Sequence, residues 1–110
     1  MKEIKWNAQA REFVRELDRL TKLEIGTQLM RIQHGERLSS PLSKPMTVKH
    51  QNAHELRLKD RNGSYRIIYV LNLKDKIFIP HAFSKKTQKT PLKEIKLSIQ
   101  RIREFSNEDK

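Results

Sequence analysis

Hydrophobic positions change period three times along this chain, and the changes mark out its elements. Residues 2–6 read as a short first strand. Asn7 follows, a residue whose side-chain oxygen suits a helix N-cap. Beyond it Ala10, Phe13, Val14, Leu17 and Leu20 fall on one helical face, while Arg11, Glu12, Arg15, Glu16 and Arg19 fill the other side. Thr21 is placed to cap a second helix in which Ile25, Leu29 and Ile32 share a face, with Gly35 as its C-terminal stop. The pattern predicts an antiparallel helical hairpin with one apolar seam. The stretch from Ser39 to Pro45 reads as a loose connection.

From His54 the period becomes two. Leu56 and Leu58 alternate with Glu55, Arg57 and Lys59, so the leucines face the helices and the charged residues share the opposite face. Asp60-Arg61-Asn62-Gly63 predicts a hairpin turn. Tyr65 to Leu71 is β-branched and aromatic on both faces, which predicts a central strand. Asn72 to Lys76 turns the chain, and a further strand runs from Ile77 to about Phe83. Pro80 lacks an N–H, so it belongs at an edge, a bulge or a non-bonding position. Thr90-Pro91 predicts a helix start with Thr90 as cap, after which Leu92, Ile95, Ile99 and Ile102 face the core. The predicted order is β-α-α-β-β-β-α: an α+β fold, one domain over residues 1–110.

Charge sharpens this picture. The 110 residues carry 24 Lys plus Arg against 13 Asp plus Glu, a formal charge of +11. A field of that size on a small body points to polyanionic partners, namely nucleic acid, a ribosome, an anionic membrane or an acidic protein. The first helix mixes both signs on its polar face, unlike a membrane-surface helix. There is no cysteine, which excludes disulfides and thiolate metal sites and fits a reducing, cytoplasmic setting. No apolar run is long enough to span a bilayer, and the first residues do not resemble a signal peptide. With three glycines there is no Gly-rich phosphate loop, and no GxSxG or cysteine nucleophile exists. None of His34, His50, His54 and His81 has the spacing of a helical zinc site.

Three features are left as candidates for chemistry. Arg66 stands in a strand that is otherwise apolar on both faces. A nearly buried arginine needs a partner, either Glu55 or a helix acid in a salt bridge, or a bound phosphate. The densest cationic run, Lys85, Lys86, Lys89, Lys93 and Lys96, follows the last strand and mixes with hydroxyls that suit phosphate oxygens. His81 has a titratable ring beside these lysines, and reads either as an acid–base group or as a histidine satisfied by the backbone.

Together, His54-Glu55-Leu56-Arg57, Gly63-Ser64-Tyr65-Arg66-Ile67-Ile68-Tyr69, the segment from His81 through Lys85-Lys86-Thr87-Gln88-Lys89-Thr90-Pro91, and Glu94-Ile95 resemble the phage-derived Gp49-like branch of HigB toxins, within the RelE/ParE superfamily of type II toxins. The resemblance covers nearly the whole chain. It implies a RelE-like microbial RNase fold: a small, mostly antiparallel sheet packed by the helical hairpin and a C-terminal helix. It implies cleavage of messenger RNA on the ribosome without metal or cofactor, and a neutralising antitoxin, usually of helix-turn-helix type. RNA supplies its own 2′-OH nucleophile, so the protein owes a base, a cation for the phosphorane and an acid for the 5′-oxygen. On this resemblance Arg57, Arg66, Lys85, Lys86 and His81 are the expected catalytic residues. His54, Lys59, Phe83, Thr87, Lys89 and Lys93 are the expected RNA contacts. Some relatives place a C-terminal tyrosine in the site, and this chain has none after Tyr69. A ParE-like gyrase inhibitor and a plain basic nucleic-acid-binding module are the competing readings, since the first shares the fold.

Overall fold

The computed structural model describes residues 1–46, 52–86 and 89–108. In chain order the elements are β1 (Glu3–Trp6), α1 (Ala8–Arg15), α2 (Arg19–Gln33), β2 (Ser43–Pro45), β3 (Ala53–Asp60), β4 (Gly63–Leu73), β5 (Lys76–Lys85) and α3 (Leu92–Glu108). Among the described residues the strands form one five-stranded sheet, ordered β1-β5-β4-β3-β2. β1 runs parallel to β5, and the other neighbours are antiparallel. The α+β class and the predicted order therefore hold, with one addition. Part of the expected loose stretch is β2, an edge strand paired to β3 through Ser43↔Leu56, Lys44↔Glu55 and Pro45↔His54. Three residues ending in proline are too short to show a period, which is why pattern alone misses them.

The hairpin between β3 and β4 turns through Arg61 and Asn62, and Asp60 Oδ1 accepts from the Asn62 N–H at 2.7 Å. That turn fixes the register, so Arg57 lies directly opposite Arg66. Pro80 resolves as a bulge proline. β5 lies inside the sheet, but its pairing with β4 shifts between Ile68↔His81 and Val70↔Phe78, and β1 stops pairing at Ile79. No ladder N–H is asked of position 80.

Helix ends depart from expectation in two places. Asn7 caps α1 as predicted, accepting from Ala10 N–H at 3.0 Å. The second helix is capped by Asp18 instead of Thr21, with Asp18 Oδ2 accepting from Leu20 N–H. Thr21 is buried in the first turn and donates to Asp60 Oδ2 at 2.6 Å, tying α2 to the β3–β4 turn. With the start moved, Leu20 leaves the apolar seam and is 72% exposed. Gly35 ends α2 as expected: it takes φ 92°, its N–H reaches Ile32 O, and Glu36 N–H reaches Arg31 O. At α3 the Pro91 carbonyl accepts from Glu94 and Ile95, while Thr90 lies before the helix and does not cap it. Leu92, expected in the core, opens the helix on its solvent side.

Each face of the sheet has its own core. One face packs Leu56, Leu58, Tyr65, Ile67, Ile77 and Ile79 against Ala10, Val14, Ile25, Leu29 and Ile32 of α1 and α2. The other packs Ala53, Ile68, Val70, Phe78 and Phe83 against Ile95, Ile102 and Phe105 of α3, with Phe78 and Phe105 stacked at 4.1 Å. The helix covers only part of this second face, and the uncovered part holds the charged residues of β3 to β5. No helix is long and apolar enough to cross a membrane.

Candidate active site

Register builds the site. On the α3 face three cross-strand rows follow one another: Glu55–Ile68–His81, Arg57–Arg66–Phe83 and Lys59–Ser64–Lys85. Arg57, Arg66 and Lys85, from three neighbouring strands, thus share one face. The face opens into a groove of about 460 Å³ lined by Lys44, Glu55, Arg57, Lys85, Lys89 and Thr90, with Met46 and Ile95 as its apolar walls.

Glu55 is the hub of this cluster. Its Oε1 lies 2.8 Å from Arg66 Nε and 3.9 Å from Lys85 Nζ, and its Oε2 accepts from the Thr90 hydroxyl at 2.8 Å. The Arg66 N–H is not aimed along the line to the carboxylate, so the contact is an ion pair without a well-directed hydrogen bond. Arg66 also donates from Nη1 to the Tyr65 carbonyl at 3.1 Å. Both alternatives weighed for Arg66 therefore meet in one place: it has a structural partner, and that partner sits in the basic groove. Arg66 itself is not on the groove wall but behind Glu55.

Burial destabilises the charges held here. Desolvation and then Arg57 depress the Arg66 pKa, with Glu55 opposing. The Lys85 side chain is 4% exposed. Desolvation, followed by Arg66, pushes its ammonium below the ordinary lysine value, and Arg57 and Lys44 add to the push while Glu55 opposes it. Such a lysine gives up a proton more readily than a surface one. Among the described residues no ion pair engages Arg57 on the same wall.

The remaining expected residues scatter. Lys86, Lys89 and Lys93 are exposed beyond β5, and Lys59 is exposed beside the Ser64–Lys85 row. Thr87 lies outside the described residues. Phe83 is not an RNA-facing ring: it is 5% exposed, in the α3-side core and stacked on His81 at 4.9 Å. His54 is on the opposite sheet face, stacked on Tyr69 at 5.2 Å. His81 is buried between two side chains of α3. Its Nδ1 accepts from Arg101 at 3.2 Å, so Nε2 carries the proton that reaches Glu94 at 3.3 Å. Desolvation is the main cause that lowers its pKa, Glu94 opposes and Arg101 assists. Arg101 also donates to the Pro80 carbonyl at 3.0 Å and to Gln9. His81 is thus satisfied by side chains of α3, not by the backbone.

Glu55, Thr90 and Lys44 are the polar groove residues that motif reading leaves out of the site. Glu55 was legible as the acid in an otherwise basic alternation with Arg57 and Lys59. Thr90 carries a misleading signal, because Thr-Pro before a helix reads as a cap.

The comparisons with known proteins agree with this geometry at the level of the fold. No curated protein matches the sequence. Among solved structures, a double arginine mutant of E. coli toxin RelE in the free state aligns with a TM-score of 0.65 at 14% identity, covering 92% of this chain and 97% of that one. The intact E. coli RelBE toxin–antitoxin complex aligns with a TM-score of 0.59 at 14% identity, covering 79% of this chain and 100% of that one. A copper-bound mutant toxin from Helicobacter pylori gives 0.57 at 11% identity, covering 76% and 94%. The family described as phage derived protein Gp49-like (DUF891) matches residues 12–103. The chain therefore belongs to the phage-derived Gp49-like family and has the fold of the RelE toxins.

Proposed function

We propose that this protein is the toxin of a toxin–antitoxin pair and a metal-independent endoribonuclease that cuts messenger RNA on the ribosome. The observation that carries the reading is the groove in which, among the described residues, Arg57, Lys85 and Lys44 meet a single lining carboxylate, Glu55, already engaged by Arg66 and Thr90. A phosphodiester entering there meets Arg57, Lys85 and Lys44 against the one carboxylate that lines the groove among the described residues. That the fold recurs in a toxin solved with its antitoxin supports the antitoxin partner.

In this mechanism the ribose 2′-oxygen attacks the adjacent phosphorus and the bond from phosphorus to the 5′-oxygen breaks. One proton leaves the 2′-OH and another reaches the 5′-oxygen. Arg57 holds the non-bridging oxygens as their charge grows. Lys85, with its destabilised ammonium, is the groove's best-placed proton carrier. Arg66 is a positioning residue, because it holds Glu55, and Glu55 in turn faces Lys85. Lys86, Lys59, Lys89 and Lys93 form an exposed cationic margin for the RNA backbone. His81 braces β5 against α3.

The test is inducible expression followed by primer extension on cellular transcripts, with Arg57→Ala as control. Codon-phased cuts that vanish in Arg57→Ala are expected. Intact messages alongside altered DNA supercoiling would replace the nuclease reading with gyrase inhibition.

A further inference from the structure

His54 has no place in the arginine groove, yet it lines a second pocket. This pocket, about 610 Å³, opens between residues 35–45 and the Asn52, His54 and Leu71 ends of β3 and β4. Its floor is the half-buried His54 ring, backed by the buried Tyr69 ring stacked beneath it at 5.2 Å with planes within 18° of parallel. The Tyr69 hydroxyl is bonded to the Ser43 hydroxyl, which fixes the ring. Lys2, Arg37 and Lys44 stand around it. Glu36, the acid among the lining residues, is engaged by Arg31 at 3.0 Å. Among the described residues no acid pairs with Arg37; burial first, and then the nearby Arg37 guanidinium, disfavour the protonation of His54.

Volume and lining together select a ligand. The space is within the range that holds a small organic molecule. A flat aromatic floor suits a nucleobase, and an arginine, a lysine and the exposed Ser39 and Ser40 suit a phosphate. A free anion would leave the aromatic floor unused. Position adds the second half of the argument. Lys44 and Pro45 of β2 line this pocket and also the arginine groove. Among the described residues β2 is the edge of the sheet, so an RNA strand crossing it meets no further β-strand there.

We infer that this pocket takes one nucleotide of the RNA strand whose scissile phosphate lies in the arginine groove, with its base on His54–Tyr69 and its phosphate between Arg37 and Lys44. The inference rests on the nuclease reading for its strand. The pocket's preference for a nucleotide stands apart from that reading and is measured without cleavage.

The experiment is a site-resolved NMR titration of isotope-labelled Arg57→Ala protein with each of the four nucleoside 5′-monophosphates and with inorganic phosphate. Saturable shifts at Ser39, His54 and Leu71 are expected for the nucleotides. Adding Arg37→Ala, an exposed loop change, should weaken them about tenfold, the effect of losing roughly one charged contact. His54→Ala should weaken nucleotides but not inorganic phosphate. Inorganic phosphate binding as tightly as the nucleotides would reduce the pocket to an anion seat and overturn the inference. Shifts confined to the Lys85 groove would also overturn it. Intact transcripts in the primer-extension test, beside a normal titration here, would remove the nuclease reading and leave the nucleotide pocket standing.

Discussion

Replacing Arg66 with alanine tests the Glu55 hub, because it removes the nearest cation from a nearly buried carboxylate. The two side chains are 11% and 12% exposed and their charged atoms lie 2.8 Å apart. At an effective dielectric of about 20 their attraction is on the order of 6 kcal/mol before the cost of desolvating both ions. Breaking a buried pair by removing one partner costs about 3–5 kcal/mol when nothing else neutralises the survivor. Here Lys85 at 3.9 Å and the Thr90 hydroxyl at 2.8 Å remain, so a cost just below that range is expected, about 2–3 kcal/mol. In urea unfolding Arg66→Ala should lose that amount. Glu55→Gln should also destabilise, since it leaves Arg66 and Lys85 facing each other uncompensated. The double variant should lose about 2 kcal/mol less than the sum of the singles. Additivity within about 0.5 kcal/mol would refute the hub. Arg66→Lys should recover part of the stability, and full cleavage activity in a folded Arg66→Ala protein would remove the positioning role.

Three further outcomes follow from the same geometry. Arg57→Ala, with no ion pair to break among the described residues, should change stability by no more than about 0.5 kcal/mol, yet reduce the log–log salt slope of single-stranded RNA binding by about 0.7; an unchanged slope would place Arg57 off the phosphate. Because Lys85 has a depressed pKa, the folded protein binds fewer protons than the unfolded chain just below the ordinary lysine value of 10.5, and wild-type stability gains with rising pH there. Lys85→Met should therefore exceed wild type most at pH 7, with a gap that narrows toward pH 10 in urea melts; a constant gap would contradict the burial argument. His81 is depressed from 6.5, so its contribution is present above that pH and is lost as pH falls. The wild-type stability decline below pH 6.5 should become shallower in His81→Gln, and an unchanged slope would show that the His81–Glu94–Arg101 contacts do not govern it.

Much of the fold was legible because strong local signals coincide with tertiary ones. Asn7, Gly35 and the Asp60–Gly63 turn each combine a backbone requirement with a residue suited to it, and all three hold. The misses occur where two residues compete for one role. Asp18 and Thr21 both suit a cap, and the hydrogen bond from Thr21 to Asp60 across 39 residues decided for Asp18. Thr90 lost its capping role in the same way, drawn to Glu55 across 35 residues. No window of sequence contains either partner.

The site divides along the same line. A two-residue turn pairs positions whose numbers sum to 123, so the Arg57–Arg66 row can be counted from the turn alone. The strand alternation likewise separates Glu55 and Arg57 from His54 by face. What alternation cannot give is depth. Phe83 and Lys85 share a face of β5, but α3 crosses only part of it and buries Phe83 in the core, whereas Lys85 reaches the groove. Whether a residue on a charged face is core or site thus depends on where one helix begins. Pro91 fixes that start by offering its carbonyl to Glu94 and Ile95. It leaves Thr90 free to turn its hydroxyl to Glu55, so the residue pair that opens the last helix also closes the groove.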